Sequence, residues 1–261
     1  HWGKAEDPAK TVVYSGRAGE QARHNGGYQE AIRFLTEAVA LDEQFAAKAR
    51  RRAGPDIERA RWERLIGESH VGLGRVVEGR QHFERAAALL RRPVPPGAAS
   101  MMLHLLGQIV DQVWHHLTPR SRVGEGPARE ALLEAARVYD NLGVIHYLLN
   151  NTLPAIHATV YMLNLAERCG PSPELTRAYA NACAATGLVP WHALAQAYRR
   201  RAFQTSEAVK SIPAHMWALF VTSIYVLGTG RWAEAREGLE RVAHLAEELG
   251  DRRQWAEATI I

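Results

Sequence analysis

The stretch AGEQARHNGGYQEAIRFLTEA, residues 18–38, decides the fold. Two helical segments meet across Asn25-Gly26-Gly27. Small residues stand before the turn, at Ala18, Gly19 and Ala22. Beyond it, Tyr28 opens a segment in which Ala31, Leu35 and Ala38 recur at spacings of four and three. That period puts all three on one helix face. Small residues let two helices approach, and large ones fill the gaps between neighbours. The stretch therefore reads as a closely packed helix hairpin.

The same sequence of small and large residues returns along the chain. It is found at Ile66-Gly67, His70, Gly74, Gly79, Phe83 and Ala86. It is found again at Tyr139, Leu142-Gly143, His146, Asn150, Ala155 and Met162, and at Leu219, Val226, Gly230, Trp232, Ala235, Leu239 and Val242. A weaker match lies at Tyr179, Ala180, Cys183 and Gly187. This is the tetratricopeptide pattern, in which each unit is one helix hairpin that buries its face only by stacking on the next. The spacing is irregular. Gly19 to Gly67 is 48 residues and Gly67 to Gly143 is 76, against about 34 for the standard repeat.

Glycine, proline and asparagine punctuate the helical periods. They predict about twelve helices: 8–24, 27–43, 57–73, 76–91, 98–118, 127–149, 152–168, 173–186, 190–204, 212–229, 231–249 and one from 252. No strand is expected; Val12-Val13-Tyr14 lies inside a helical period. The expected fold is all-α, a tetratricopeptide-like right-handed superhelix of antiparallel hairpins. The expected organisation is hairpins over 1–92, an irregular long helix and linker over 93–126, and hairpins over 127–261 that continue beyond the fragment. Helix 98–118 has no partner in this scheme, and Thr118 to Gly126 is the expected hinge.

Composition narrows the function. At 47% hydrophobic the 261 residues can fill a core, which excludes intrinsic disorder. The net charge of +4 comes from arginines interleaved with acids, as at Glu234, Arg236, Glu237, Glu240 and Arg241. Nucleic-acid binding needs a one-sided basic stripe. Arg50-Arg51-Arg52 and Arg199-Arg200-Arg201 are the only runs, and each reads as a solvated helix face. Cys169 and Cys183 read as packing residues of a reducing compartment. The most apolar run, Met216 to Leu227, is too short to span a membrane. The expectation is a cytoplasmic protein with no nucleic-acid or membrane partner. His1 in place of Met, and a last helix without a cap, read as a chain cut from a longer one.

Three segments carry a family resemblance: HWGKAEDPAKTVVYSGRAGEQARHNGGYQEAIRFLTEAVAL at the start, the middle residues from Glu134-Ala135-Ala136 through His146-Tyr147, Asn150-Asn151 and Asn164-Leu165-Ala166-Glu167 to Ala178-Tyr179-Ala180, and HLAEELGDRRQWAEA near the end. Together they resemble the C-terminal tetratricopeptide-like region of bacterial adenylate/guanylate cyclases and STAND-type ATPase regulators. The resemblance implies a non-catalytic sensor tail, with ATP and Mg²⁺ left to the parent. The chain itself has no G-x-x-x-x-G-K-[ST] phosphate loop.

Within the chain no H-E-x-x-H, C-x-x-C or G-x-S-x-G occurs. His115 and His116 are adjacent, so on a helix they point about 100° apart and do not chelate one ion. Glu247-Glu248 reads as an exposed face. No catalytic residue, metal or cofactor is expected. The candidate partner-binding residues are Tyr147, Asn150, Asn151, Tyr161, Asn164, Trp191 and Trp232. Asn150-Asn151 reads as a turn with Thr152 beside it, and Asn164 as a buried amide that needs hydrogen-bond partners. Trp191 and Trp232 read either as plugs of repeat junctions or as binding anchors. Two functions follow. One is a protein- or peptide-binding regulatory domain, its partner including other domains of the same parent. The other is an all-α small-ligand or enzymatic domain with a polar site at His146, Asn150 and Asn164. An arginine-rich nucleic-acid binder is a third, weaker option.

Overall fold

The computed structural model describes residues 8–48, 55–117, 123–189 and 191–261. Among them are twelve helices and no strand. They are α1 (Pro8–His24), α2 (Tyr28–Lys48), α3 (Ile57–Gly72), α4 (Val76–Leu89), α5 (Gly97–Leu117), α6 (Pro127–Leu148), α7 (Thr152–Cys169), α8 (Pro173–Leu188), α9 (His192–Val209), α10 (Ile212–Gly228), α11 (Trp232–Leu249) and α12 (Arg252–Ile260). The all-α, tetratricopeptide-like class read from the sequence is the one observed. Arg50 to Arg52, and Thr118 to Arg122 of the expected hinge, lie outside the described residues, as do the side chains of His115 and His116. No described helix is long and apolar enough to cross a membrane.

Local chemistry sets the helix starts. Asp56, Ser172, Ser211 and Asp251 each sit just ahead of a helix and accept a hydrogen bond from the amide three residues on. Proline at the start of α6, α8 and α10 supplies a helical φ where no amide bond is needed. Gly26, Gly74, Gly230 and Gly250 end helices at positive φ, where a side chain is disfavoured. Two helices outrun the sequence reading by more than one turn. α2 reaches Lys48 and α9 reaches Val209, because no glycine or proline stops them. α9 ends on Lys210, which itself takes φ 55°.

The chain packs as two compact units: residues 1–104 with 125–158, and 105–124 with 159–261. In the first, α1 to α4 form two hairpins, and α6 packs on both α3 and α4. Ala31, Leu35 and Ala38 of α2 are fully buried and meet Trp62, Leu65 and Ile66 of α3. Gly67 and Gly79 let α3 and α4 touch backbone to backbone. A Cβ on Gly67 would stand 2.7 Å from the Phe83 ring and 3.0 Å from the Gly79 carbonyl oxygen.

Charges join α3 to α6. The Arg64 guanidinium donates to Glu134 and Glu68, both at 2.5 Å, and Arg61 pairs with Glu130 at 2.8 Å. Glu134 is completely buried and also receives Arg137 at 2.9 Å. Glu68 receives Arg23 and, at 3.3 Å, Asn141. Burial alone would lower the Arg64 pKa, but Glu68 and Glu134 outweigh it and hold it above its ordinary value. Burial likewise works to raise the Glu68 pKa, and Arg64 and Arg23 bring it below the usual carboxylate range.

Also in the first unit, His104 of α5 meets His157 of α7, ring nitrogen to ring nitrogen at 2.7 Å. Tyr139 lies edge-on to His157 and donates its hydroxyl to the Arg92 carbonyl at 2.9 Å. Burial, then His104 and His146, push the His157 pKa down to about 4. Stability therefore falls as pH falls from 6.5, where the unfolded imidazole takes its proton, to about 4, where the folded one does. Above pH 6.5 the effect is absent. Urea midpoints between pH 7 and 4.5 are expected to decline in the wild type and to decline less in His157→Gln; parallel declines would disprove the assignment.

The second unit holds α8 to α12. α8 pairs with α9, α10 packs on α8 and pairs with α11, and α12 closes on α11. Its core gathers Ala180, Ala202, Leu219, Phe220, Leu239 and Val242. Gly187 faces the Tyr225 ring so closely that a Cβ would stand 2.2 Å from it. Cys183 is a buried free thiol, and burial pushes its pKa up to about 12.

Candidate functional site

The residues singled out from the sequence fall into both units. In the first, α6 ends and Asn150 follows in the left-handed region with φ 55°. Its amide donates to the Tyr147 carbonyl at 3.0 Å, and that of Asn151 to the His146 carbonyl at 2.8 Å. These paired bonds close a helix C-terminus. The Asn151 carbonyl then accepts from Ala155 at 3.1 Å and opens α7. Asn150 and Asn151 thus build the turn, and with Tyr147 they are exposed. His146 is buried one turn back, and its Nδ1 has no hydrogen-bond partner. Burial, then Arg80, lowers its pKa.

In the second unit, Asn164 and Tyr161 are both buried. Asn164 donates to the Gln108 carbonyl at 2.9 Å and to Gln108 Oε1 at 2.7 Å. It accepts from Gln112 Nε2 at 2.7 Å, which also donates to Glu167 at 2.7 Å. Tyr179 donates to the other Glu167 oxygen at 3.1 Å. Burial, then the Glu167 charge, raises the Tyr179 pKa. The amide of Asn164 is thereby committed to α5. This bonding supplies the partner that helix 98–118 lacked in the sequence reading: these polar groups join α5 to α7.

Trp191 and Trp232 fill no junction. Each precedes or opens a helix of the second unit, and they are 61% and 68% exposed. Their chain neighbours His192 and Arg231 help line a crevice of about 540 Å³, together with Gln196, Tyr225, Gly228 and Thr229. The turns α8–α9 and α10–α11 deliver these residues to one end of the hairpins. Tyr225 Oη and His192 Nδ1 stand 3.4 Å apart, and Arg231 Nε donates to Thr229 Oγ1 at 3.2 Å. Arg199 and Arg231 share a single carboxylate, Glu234, at 2.7 and 3.0 Å. These three groups together carry one net positive charge. The sequence named the two tryptophans but missed the lining residues, which are far apart in the chain and carry no common motif. Among the described residues, no group of three or more His, Cys, Asp or Glu could hold a metal ion.

No protein-family profile matches the chain, and no curated protein matches it. Solved structures do. The nearly identical TPR-like repeats of a kinesin light chain candidate from Podosopora anserina superpose with a TM-score of 0.52, at 16% identity over 95% of this chain and 99% of that one. A form of the same repeats that carries one substitution gives 0.53 over 94% and 99%, again at 16% identity. At such identity the likeness is one of fold: this chain is built of TPR-like helix hairpins.

Proposed function

We propose that the chain is a protein-interaction and regulatory domain that takes a protein or peptide partner at the crevice lined by His192, Tyr225 and Arg231, with Trp191 and Trp232 next to it in the chain. One observation carries the reading. Two exposed indoles, Trp191 and Trp232, adjoin in the chain His192 and Arg231, which line the same crevice. Tryptophan and arginine are among the side chains that most often dominate binding energy at interfaces. The net positive charge of Arg199, Arg231 and Glu234 suits a segment that pairs an acidic residue with an aromatic or aliphatic one. The resemblance of its segments to a sensor tail supports reading the domain as non-catalytic. The resemblance of its first, middle and last segments supports the finer reading, a cytoplasmic sensor tail of a larger signalling ATPase or nucleotide cyclase.

The test is a peptide array of acidic-aromatic and acidic-aliphatic sequences, probed with the wild type and with Trp191→Ser/Trp232→Ser. The wild type is expected to bind a subset at micromolar concentration, and the variant at least tenfold more weakly with unchanged helicity. Equal binding by both would overturn the proposal. For the parent, the same comparison uses its remaining domains as bait.

A further inference from the structure

α5 carries apolar residues on both sides. Its packed side holds Met101 and Leu105, both buried, with Gln108 and Gln112 bonded to Asn164 and Glu167 of α7. Its opposite side is aliphatic and faces solvent: Leu103 is 73% exposed, Leu106 52%, Ile109 43%, Val110 66% and Val113 57%. A helix on the surface of a monomer normally turns polar residues to solvent there.

The spacing of that outer face is specific. Ala99, Leu103, Leu106, Val110 and Val113 alternate by four and three, the a and d positions of a heptad. Met102 and Ile109 flank them on one side, where a coiled coil of unlike chains carries charges. Asp111 is the only acidic residue from Gly97 to Leu117, and there is no lysine or arginine. It stands beside Gln112, off the seam. The face therefore has no charge to select an unlike partner and none to repel its own copy. It also lacks the basic residues that draw an amphipathic helix onto anionic lipid.

Area points the same way. The exposed aliphatic surface from Met102 to Val113 is on the order of 600 Å² per copy, the upper end of what monomers leave bare. Two copies face to face would bury on the order of 1,200 Å², the lower bound for a specific stable interface. We infer that α5 is a homodimerisation helix, paired with α5 of a second copy about a two-fold axis in which the same patch serves both sides. The Gln108–Gln112–Asn164–Glu167 bonds on its back fix the helix in its roll and aim the aliphatic seam outward. This surface is separate from the crevice lined by His192 and Arg231 and does not depend on how that crevice is read.

Sedimentation equilibrium tests it on the chain as it stands. The expected mass is twice 29.0 kDa at tens of micromolar, returning toward 29.0 kDa on dilution. Leu106→Glu/Val110→Glu is expected to stay at 29.0 kDa with wild-type helicity, because both side chains are already in solvent in the single chain. A wild type that remains at 29.0 kDa throughout overturns the proposal. So does a folded double variant that still dimerises. Flotation of a monomeric wild type with phosphatidylserine vesicles would assign the face to a membrane instead, and would likewise overturn it.

Discussion

Arg64→Met is expected to destabilise the first unit by about 3–5 kcal/mol, the range for removing one member of a buried ion pair. The cost does not come from lost attraction alone. Glu134 is fully buried, and without Arg64 it keeps only Arg137, whose side chain is 38% exposed. Glu68 keeps Arg23. Two carboxylates desolvated by the fold would then share less positive charge than they need. Glu134→Gln in the same chain should recover part of the loss, because a neutral amide costs less to bury. Urea denaturation followed by circular dichroism of the wild type, Arg64→Met, Glu134→Gln and the double variant gives the four free energies from which the cycle isolates the pair. A loss below about 1 kcal/mol for Arg64→Met would mean that water reaches the cluster and screens it.

Gly67→Val carries the second large effect. The new Cβ meets the Phe83 ring and the Gly79 carbonyl, and Phe83 is fully buried with nowhere to turn. Overpacking of this kind costs about 1–3 kcal/mol or more. Gly67→Ala is the informative companion. It gains up to about 1 kcal/mol of helix propensity and still forces the contact, so its net loss should be smaller than that of valine. Thermal melts of the two variants should therefore rank glycine, alanine, valine in falling order. An alanine variant more stable than the wild type would show that α3 and α4 separate easily, and would weaken the close-packing account of the repeat.

The helices were legible in the sequence because their ends are written in it. Gly26, Gly74, Gly230 and Gly250 stop helices, and Ser172, Ser211 and Asp56 start them. The repeat was legible because Gly19, Gly67 and Gly187 stand where a neighbour leaves no room for a Cβ. α9 ran past its predicted end because no glycine or proline stops it, and it ends only where Lys210 takes a left-handed conformation that its side chain does not advertise. α5 was left without a partner in the sequence reading. Beside the buried Met101 and Leu105, its packed side is marked by Gln108 and Gln112, two polar residues one turn apart whose partners lie more than fifty residues away. Hydrogen bonding over that separation leaves no periodic trace. The tryptophans were named, but their surroundings come from two turns that only folding brings to one end.

The ion pairs that join α3 to α6 have a bearing on how such a chain could have arisen. A stack held together only by succession along the backbone would be broken by material spliced between two hairpins. In the first unit α3 and α4 find α6 although α5 intervenes in the sequence. The arginines at 61 and 64 and the glutamates at 130 and 134 act as a key cut in both helices, one turn apart on each. Recognition then survives a change in tether length, because closing a longer loop costs little more than closing a short one. A repeat array keyed in this way can accept a graft and put it to a new use while its own packing order is preserved.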